Sequence, residues 1–105
     1  SIAETPFQIT LPELNNTLFA GVIDRIVVLK KEIIAVDFKS NFLVPKIDKD
    51  VPIGLLRQMA IYFRCLEIIY PAKEINIAIL WTKTSNLMFL DKILLKKCLQ
   101  SVLNT

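Results

Sequence analysis

A chain of 105 residues with a net charge of +3 and no histidine has room for one small domain. The missing histidine excludes a His-based catalytic triad, and two cysteines without a CxxC spacing exclude the common zinc sites. The apolar fraction of 53% predicts a dense core or a surface that meets another domain.

Along the chain, residues 7–11 alternate apolar and polar side chains, as a half-buried strand does. Pro12 ends that strand, and 13–17 read as a polar turn. Residues 18–29 form a β-branched-rich run opened by Gly21, and 33–38 form another. The polar Lys30, Lys31 and Glu32 between them make the pair an antiparallel hairpin. Residues 40–51 carry Asn, Pro, Asp and Lys without a period and read as a loop. Pro52 suits the first turn of a helix, with Asp50 as its cap. Leu55, Leu56, Met59, Phe63, Leu66 and Tyr70 then recur at helical spacing until Pro71. Ile75, Ile77, Ile79 and Trp81 mark one face of a further strand, and 87–90 are a short one. Asp91 caps a last helix that turns Ile93, Leu94, Cys98 and Leu99 or Val102 inward. The order is strand, strand, strand, helix, strand, strand, helix, which predicts an α/β layered domain with a mixed sheet. Cys65 and Cys98 read as reduced core residues of a cytosolic protein, and no apolar run approaches the about 20 residues of a membrane span.

The hairpin carries the chemistry. A turn centred between Lys30 and Lys31 sets Asp24 opposite Asp37 and Val22 opposite Lys39. Side chains two apart share a face, so Asp24, Asp37 and Lys39 project to one side. Directly opposed residues hold their Cβ atoms about 4.5–5.5 Å apart, and two carboxylates there repel unless a cation lies between them. Mg²⁺, a hard ion with oxygen ligands, suits the place, and Mn²⁺ is the alternative. Lys39 then stands beside the metal-bound water or the attacked phosphate. The competing reading is a solvated hairpin in which Asp37 simply pairs with Lys39. Against it, Asp37 lies within the apolar run Ile-Ile-Ala-Val-Asp-Phe-Lys, where a charge is costly unless paired or liganded. Gln58 and Tyr62, four apart on the helix, share a face as well.

Three segments in this order resemble the PD-(D/E)xK nuclease superfamily: Gly21-Val22-Ile23-Asp24-Arg25, then Asp37-Phe38-Lys39-Ser40, then Gln58 through Tyr62. Within it they resemble the RecB-type nuclease domains of helicase–nucleases, above all the C-terminal domain of alphaproteobacterial AddA-type subunits. The likeness runs from about Glu4 to Leu90 and includes Ile69-Tyr70-Pro71 and Leu80-Trp81-Thr82. It implies a restriction-endonuclease-like mixed central sheet flanked by helices. It also implies metal binding by Asp24, Asp37 and the Phe38 carbonyl, a catalytic Lys39, and substrate contact by Gln58 and Tyr62. The expected setting is a cytoplasmic double-strand-break repair assembly acting on DNA. There the domain follows an ATP-driven helicase in the same chain and pairs with an AddB-like subunit.

Two departures qualify the likeness. The family's upstream helix with a further metal ligand has no counterpart, since Glu4 and Glu13 are the only earlier acids and neither has helical context. No phosphate-binding helicase loop occurs either. The chain reads as a single nuclease domain, residues 1–105, from a longer helicase–nuclease. The alternative is a non-catalytic DNA-guiding or subunit-docking module with the same fold. A third reading is another exonuclease of the superfamily, of phage type.

Overall fold

The computed structural model describes residues 2–41 and 43–104. Strands β1 (Ile2–Leu11), β2 (Thr17–Val28) and β3 (Glu32–Lys39) form an antiparallel meander. Helix α1 (Ile53–Ile69) then crosses to β4 (Glu74–Trp81), which lies parallel to β3. Strand β5 (Asn86–Phe89) returns antiparallel beside β4, and α2 (Lys92–Leu103) closes the chain. The fold is α/β: one five-stranded mixed sheet in the order β1-β2-β3-β4-β5, with two helices.

The strands form where the sequence alternates. Ile33, Ala35 and Asp37 of β3 stand beside Ile75, Ile77 and Ile79 of β4, all buried on one face. Leu56, Met59, Ala60, Phe63 and Leu66 make the apolar stripe of α1 that covers this face. Leu95 and Cys98 of α2 complete the same core. Among the described residues, no helix covers the opposite face. Val22, Phe38, Leu87 and Phe89 lie there, each between 40% and 51% exposed. Among the described residues, no helix is long and apolar enough to cross a membrane.

Several local expectations are corrected. Strand β1 begins at Ile2, well before residue 7, because β2 supplies backbone partners along that whole length. Asp50 does not cap α1. It ends a short 3-10 turn, and Pro52 stands at the cap position without any side-chain bond. Asp91 does cap α2, accepting a hydrogen bond from Leu94 N–H at 3.1 Å. On that helix Ile93 points outward, 64% exposed, and Leu95 takes the innermost place. Both cysteines are free and buried; burial pushes the Cys65 thiol up to about 11, which leaves it unreactive at neutral pH. Of the loop predicted over 40–51, Phe42 lies outside the described residues.

Candidate functional site

The hairpin register is the one the turn at Lys30 and Lys31 requires: Arg25 faces Val36, Ile26 faces Ala35 and Val28 faces Ile33. The ladder stops after Arg25. The next rung toward the open end would join Ile23 to Phe38; instead the Phe38 N–H donates to Asp24 Oδ2 at 2.7 Å. The side chain of Asp24 thus takes the place of a backbone carbonyl. The face pattern of β2 changes at the same point. Ile23 and Ile26, three positions apart, are both buried in the one core, which a regular strand cannot do. Across β1 the pairing also skips this level, between Ala3 opposite Arg25 and Thr5 opposite Ile23. Glu4, at the skipped position, has a φ of 43°, a strained value for a residue with a Cβ.

Asp37 sits one residue from this break, at the C-terminal end of β3. Ligand sites of open α/β sheets lie at such strand ends. It is the buried charged residue of the core, 7% exposed. Lys39 Nζ stands 3.3 Å from its Oδ2, an ion-pair distance. Beyond that ion pair the oxygen is sealed from solvent and has no hydrogen-bond partner. Burial pushes the Asp37 pKa above the usual carboxylate range; Lys39 pulls it back, and the neighbouring Asp24 carboxylate pushes it up further. The structure therefore brings Asp24, Asp37 and Lys39 together, although Asp24 arrives from a kinked strand and not as a directly paired residue.

Gln58 and Tyr62 also meet. Gln58 Nε2 donates to the Tyr62 hydroxyl at 2.9 Å. Tyr62 and Asp37 line one narrow crevice with Ile23, Ala35, Met59 and Ile77. Gly21 makes room for this arrangement. A Cβ there would come within 3.0 Å of the Phe7 ring and 3.3 Å of the Tyr62 hydroxyl.

Two carboxylates, one with an unsatisfied buried oxygen, make a donor set that fits a hard divalent cation. The backbone adds a third oxygen: the Phe38 N–H leaves the β2 side of its strand, and so does its carbonyl. No group of three Asp, Glu, Cys or His side chains gathers anywhere among the described residues. Glu13 does not contribute, because Arg64 Nε holds it at 2.6 Å and thereby keeps its pKa low. Phe7 and Phe19, which line a neighbouring cleft, and Ser101, which accepts a hydrogen bond from Arg57, belong to no sequence motif; their spacing is that of ordinary strand and helix positions. No protein-family model, curated protein or solved structure matches the chain.

Proposed function

We propose that this chain is a metal-dependent deoxyribonuclease domain that hydrolyses DNA phosphodiester bonds with Asp24, Asp37 and Lys39. One observation carries the reading. A buried carboxylate with an unsatisfied oxygen, a second carboxylate and a lysine converge where the β2–β3 ladder opens. Such an arrangement costs stability, and costly charge arrangements cluster at functional sites. Mg²⁺ or Mn²⁺, held by Asp24, Asp37 and the Phe38 carbonyl, would supply Lewis acidity and a bound water of lowered pKa. The chain's own groups do the rest. The Lys39 ammonium offers positive charge to the phosphate as negative charge builds on it. The Tyr62 hydroxyl accepts from Gln58, so its proton is free to donate to a phosphate oxygen.

The wider setting belongs to the same proposal. It is an exonuclease domain of a cytoplasmic double-strand-break repair helicase–nuclease, joined to a helicase portion and an AddB-like partner. The test is to incubate the chain with linear single-stranded and duplex DNA and Mg²⁺ or Mn²⁺. Digestion is expected, with EDTA stopping it. Asp37→Ala and Lys39→Ala should each lose it; wild-type rates in both would sink the assignment. A non-catalytic DNA-guiding or docking module remains the second reading, favoured by the two-carboxylate donor set and the half-exposed apolar residues of the sheet face that no helix covers. Amide shifts on metal titration separate the two: a catalytic centre shifts at Asp24 and Asp37, and a docking module does not.

A further inference from the structure

On the other side of Tyr62, β1, β2 and the start of α1 enclose a cleft of about 330 Å³, lined chiefly by Phe7, Phe19, Gly54, Arg57, Gln58 and Tyr62. Its first property is an aromatic wall. The Phe7 ring is fixed edge-on against Tyr62, with centroids 5.2 Å apart and planes at 84°. Phe19 is half-buried beside it.

The second property is a held guanidinium. Arg57 Nε donates to Ser101 Oγ at 3.0 Å, and that hydroxyl donates in turn to the Cys98 carbonyl at 2.7 Å. A guanidinium has five N–H donors, and this bond uses one. Among the described residues no carboxylate pairs with Arg57. Its two terminal NH₂ groups are therefore left as a fork of fixed plane, the geometry that matches a phosphate. Third, Gly54 in the first turn of α1 leaves the floor of the cleft open; a Cβ there would meet nothing within 4 Å. The positive end of the α1 dipole lies at the same place.

An aromatic lining beside a guanidinium held by one bond and paired with no carboxylate among the described residues is what one unpaired nucleotide can use. A base inside a duplex cannot use it, since both its faces are already stacked. We propose that the cleft is a subsite for one nucleotide of single-stranded DNA, its base against Phe19 and Phe7 and its flanking phosphate on Arg57. The inference rests on the nuclease reading for its place next to the scissile bond, but its binding is measurable without cleavage.

The test is fluorescence anisotropy of the full chain in EDTA with three labelled probes: a short oligothymidylate, an abasic strand of equal length, and a duplex. The oligothymidylate should bind about tenfold more tightly than the abasic strand. Phe19→Ala should remove that preference and leave the abasic affinity unchanged. Arg57→Gln should weaken both strands alike and lower the salt dependence by about 0.7, the slope for one phosphate on a single strand. Gly54→Leu fills the cleft from an open position in a helix that favours Leu over Gly. It should abolish the base preference without lowering the melting temperature. Equal binding of the oligothymidylate and the abasic strand, tighter binding of the duplex, or wild-type behaviour in all three variants would overturn the subsite. The two proposals fail separately. A strand bound with base preference but never cut in Mg²⁺ defeats the nuclease reading alone. A strand cut by a protein whose cleft variants all bind normally defeats the subsite alone.

Discussion

Strand β2 changes character at Asp24. From Arg25 to Val28 it pairs with β3, and its inward residue Ile26 faces Ala35 across a dry, apolar rung. From Thr17 to Ile23 the same strand pairs with β1 alone, and β3 runs on beside it toward β4. Closed rungs need only shape and apolarity. An opened ladder leaves backbone groups such as the Phe38 N–H in want of a partner, and a carboxylate meets that need. The contrast shows how a small sheet can place charge without losing its core: the polar groups gather where backbone pairing ends, and the apolar ones where it continues.

Substitutions at the two levels should separate activity from stability. The largest effect is expected at the open level. Asp37→Asn should lower cleavage by about 10³-fold or more, equivalent to roughly 4 kcal/mol in the barrier. It should also raise the melting temperature by a few degrees, because a desolvated charge with an unsatisfied oxygen is replaced by a neutral group. Digestion assays and calorimetry on one preparation decide this, and a fall in both would show Asp37 to be a structural ion-pair partner. At the closed level, Ile33→Ala should cost about 2–4 kcal/mol in urea denaturation, since Ile33 is 0% exposed between β2 and β4. Its cleavage rate, measured where the variant stays folded, should be near normal.

A smaller loss is expected for Asp24→Ala, which strips the Phe38 N–H of its acceptor at about 1–2 kcal/mol. That variant should also lose any rise in melting temperature that Mg²⁺ gives the wild type. The smallest effect is the pH dependence of metal-free stability. The Asp37 pKa is raised on folding, so between its unfolded value near 3.8 and its folded value the native state holds the extra proton. Stability from this group therefore falls as pH rises through that window. Glu13, whose pKa is lowered by Arg64, works in the opposite sense. The difference between wild type and Asp37→Asn isolates the Asp37 part, and a difference that is flat with pH would contradict the burial argument.

Much of the sheet was legible because period-two alternation and a polar turn fix a register. The Lys30 and Lys31 turn gives the Arg25 to Val36 pairing, and Ile75 through Trp81 give the buried face of β4. The break at Asp24 was harder to see, because counting pairs from a turn assumes an unbroken ladder. A trace of it was present: Ile23 and Ile26 are large apolar residues at an odd spacing, so one regular strand cannot bury both. Ile93 turns outward because the inward face of α2 depends on where the helix docks, and its packing on α1 decides that. Asp50 failed as a cap because the chain takes a 3-10 turn there, and no local pattern announced it. The Gln58–Tyr62 contact follows from helical spacing alone. The bond from Arg57 to Ser101 joins residues on different helices and could not be read from either segment.

The sheet face that no helix covers has a thermal consequence. Val22, Phe38, Leu87 and Phe89 keep 40–51% of their surface in water in the folded chain, so a partner laid on this face would bury what remains exposed of each. The heat-capacity change of unfolding scales with that new surface and is about 12–15 cal/mol/K per residue for an ordinary domain. Unfolding from a complex that covers this face should therefore carry a larger heat-capacity change than unfolding of the free chain, and a more sharply curved stability profile.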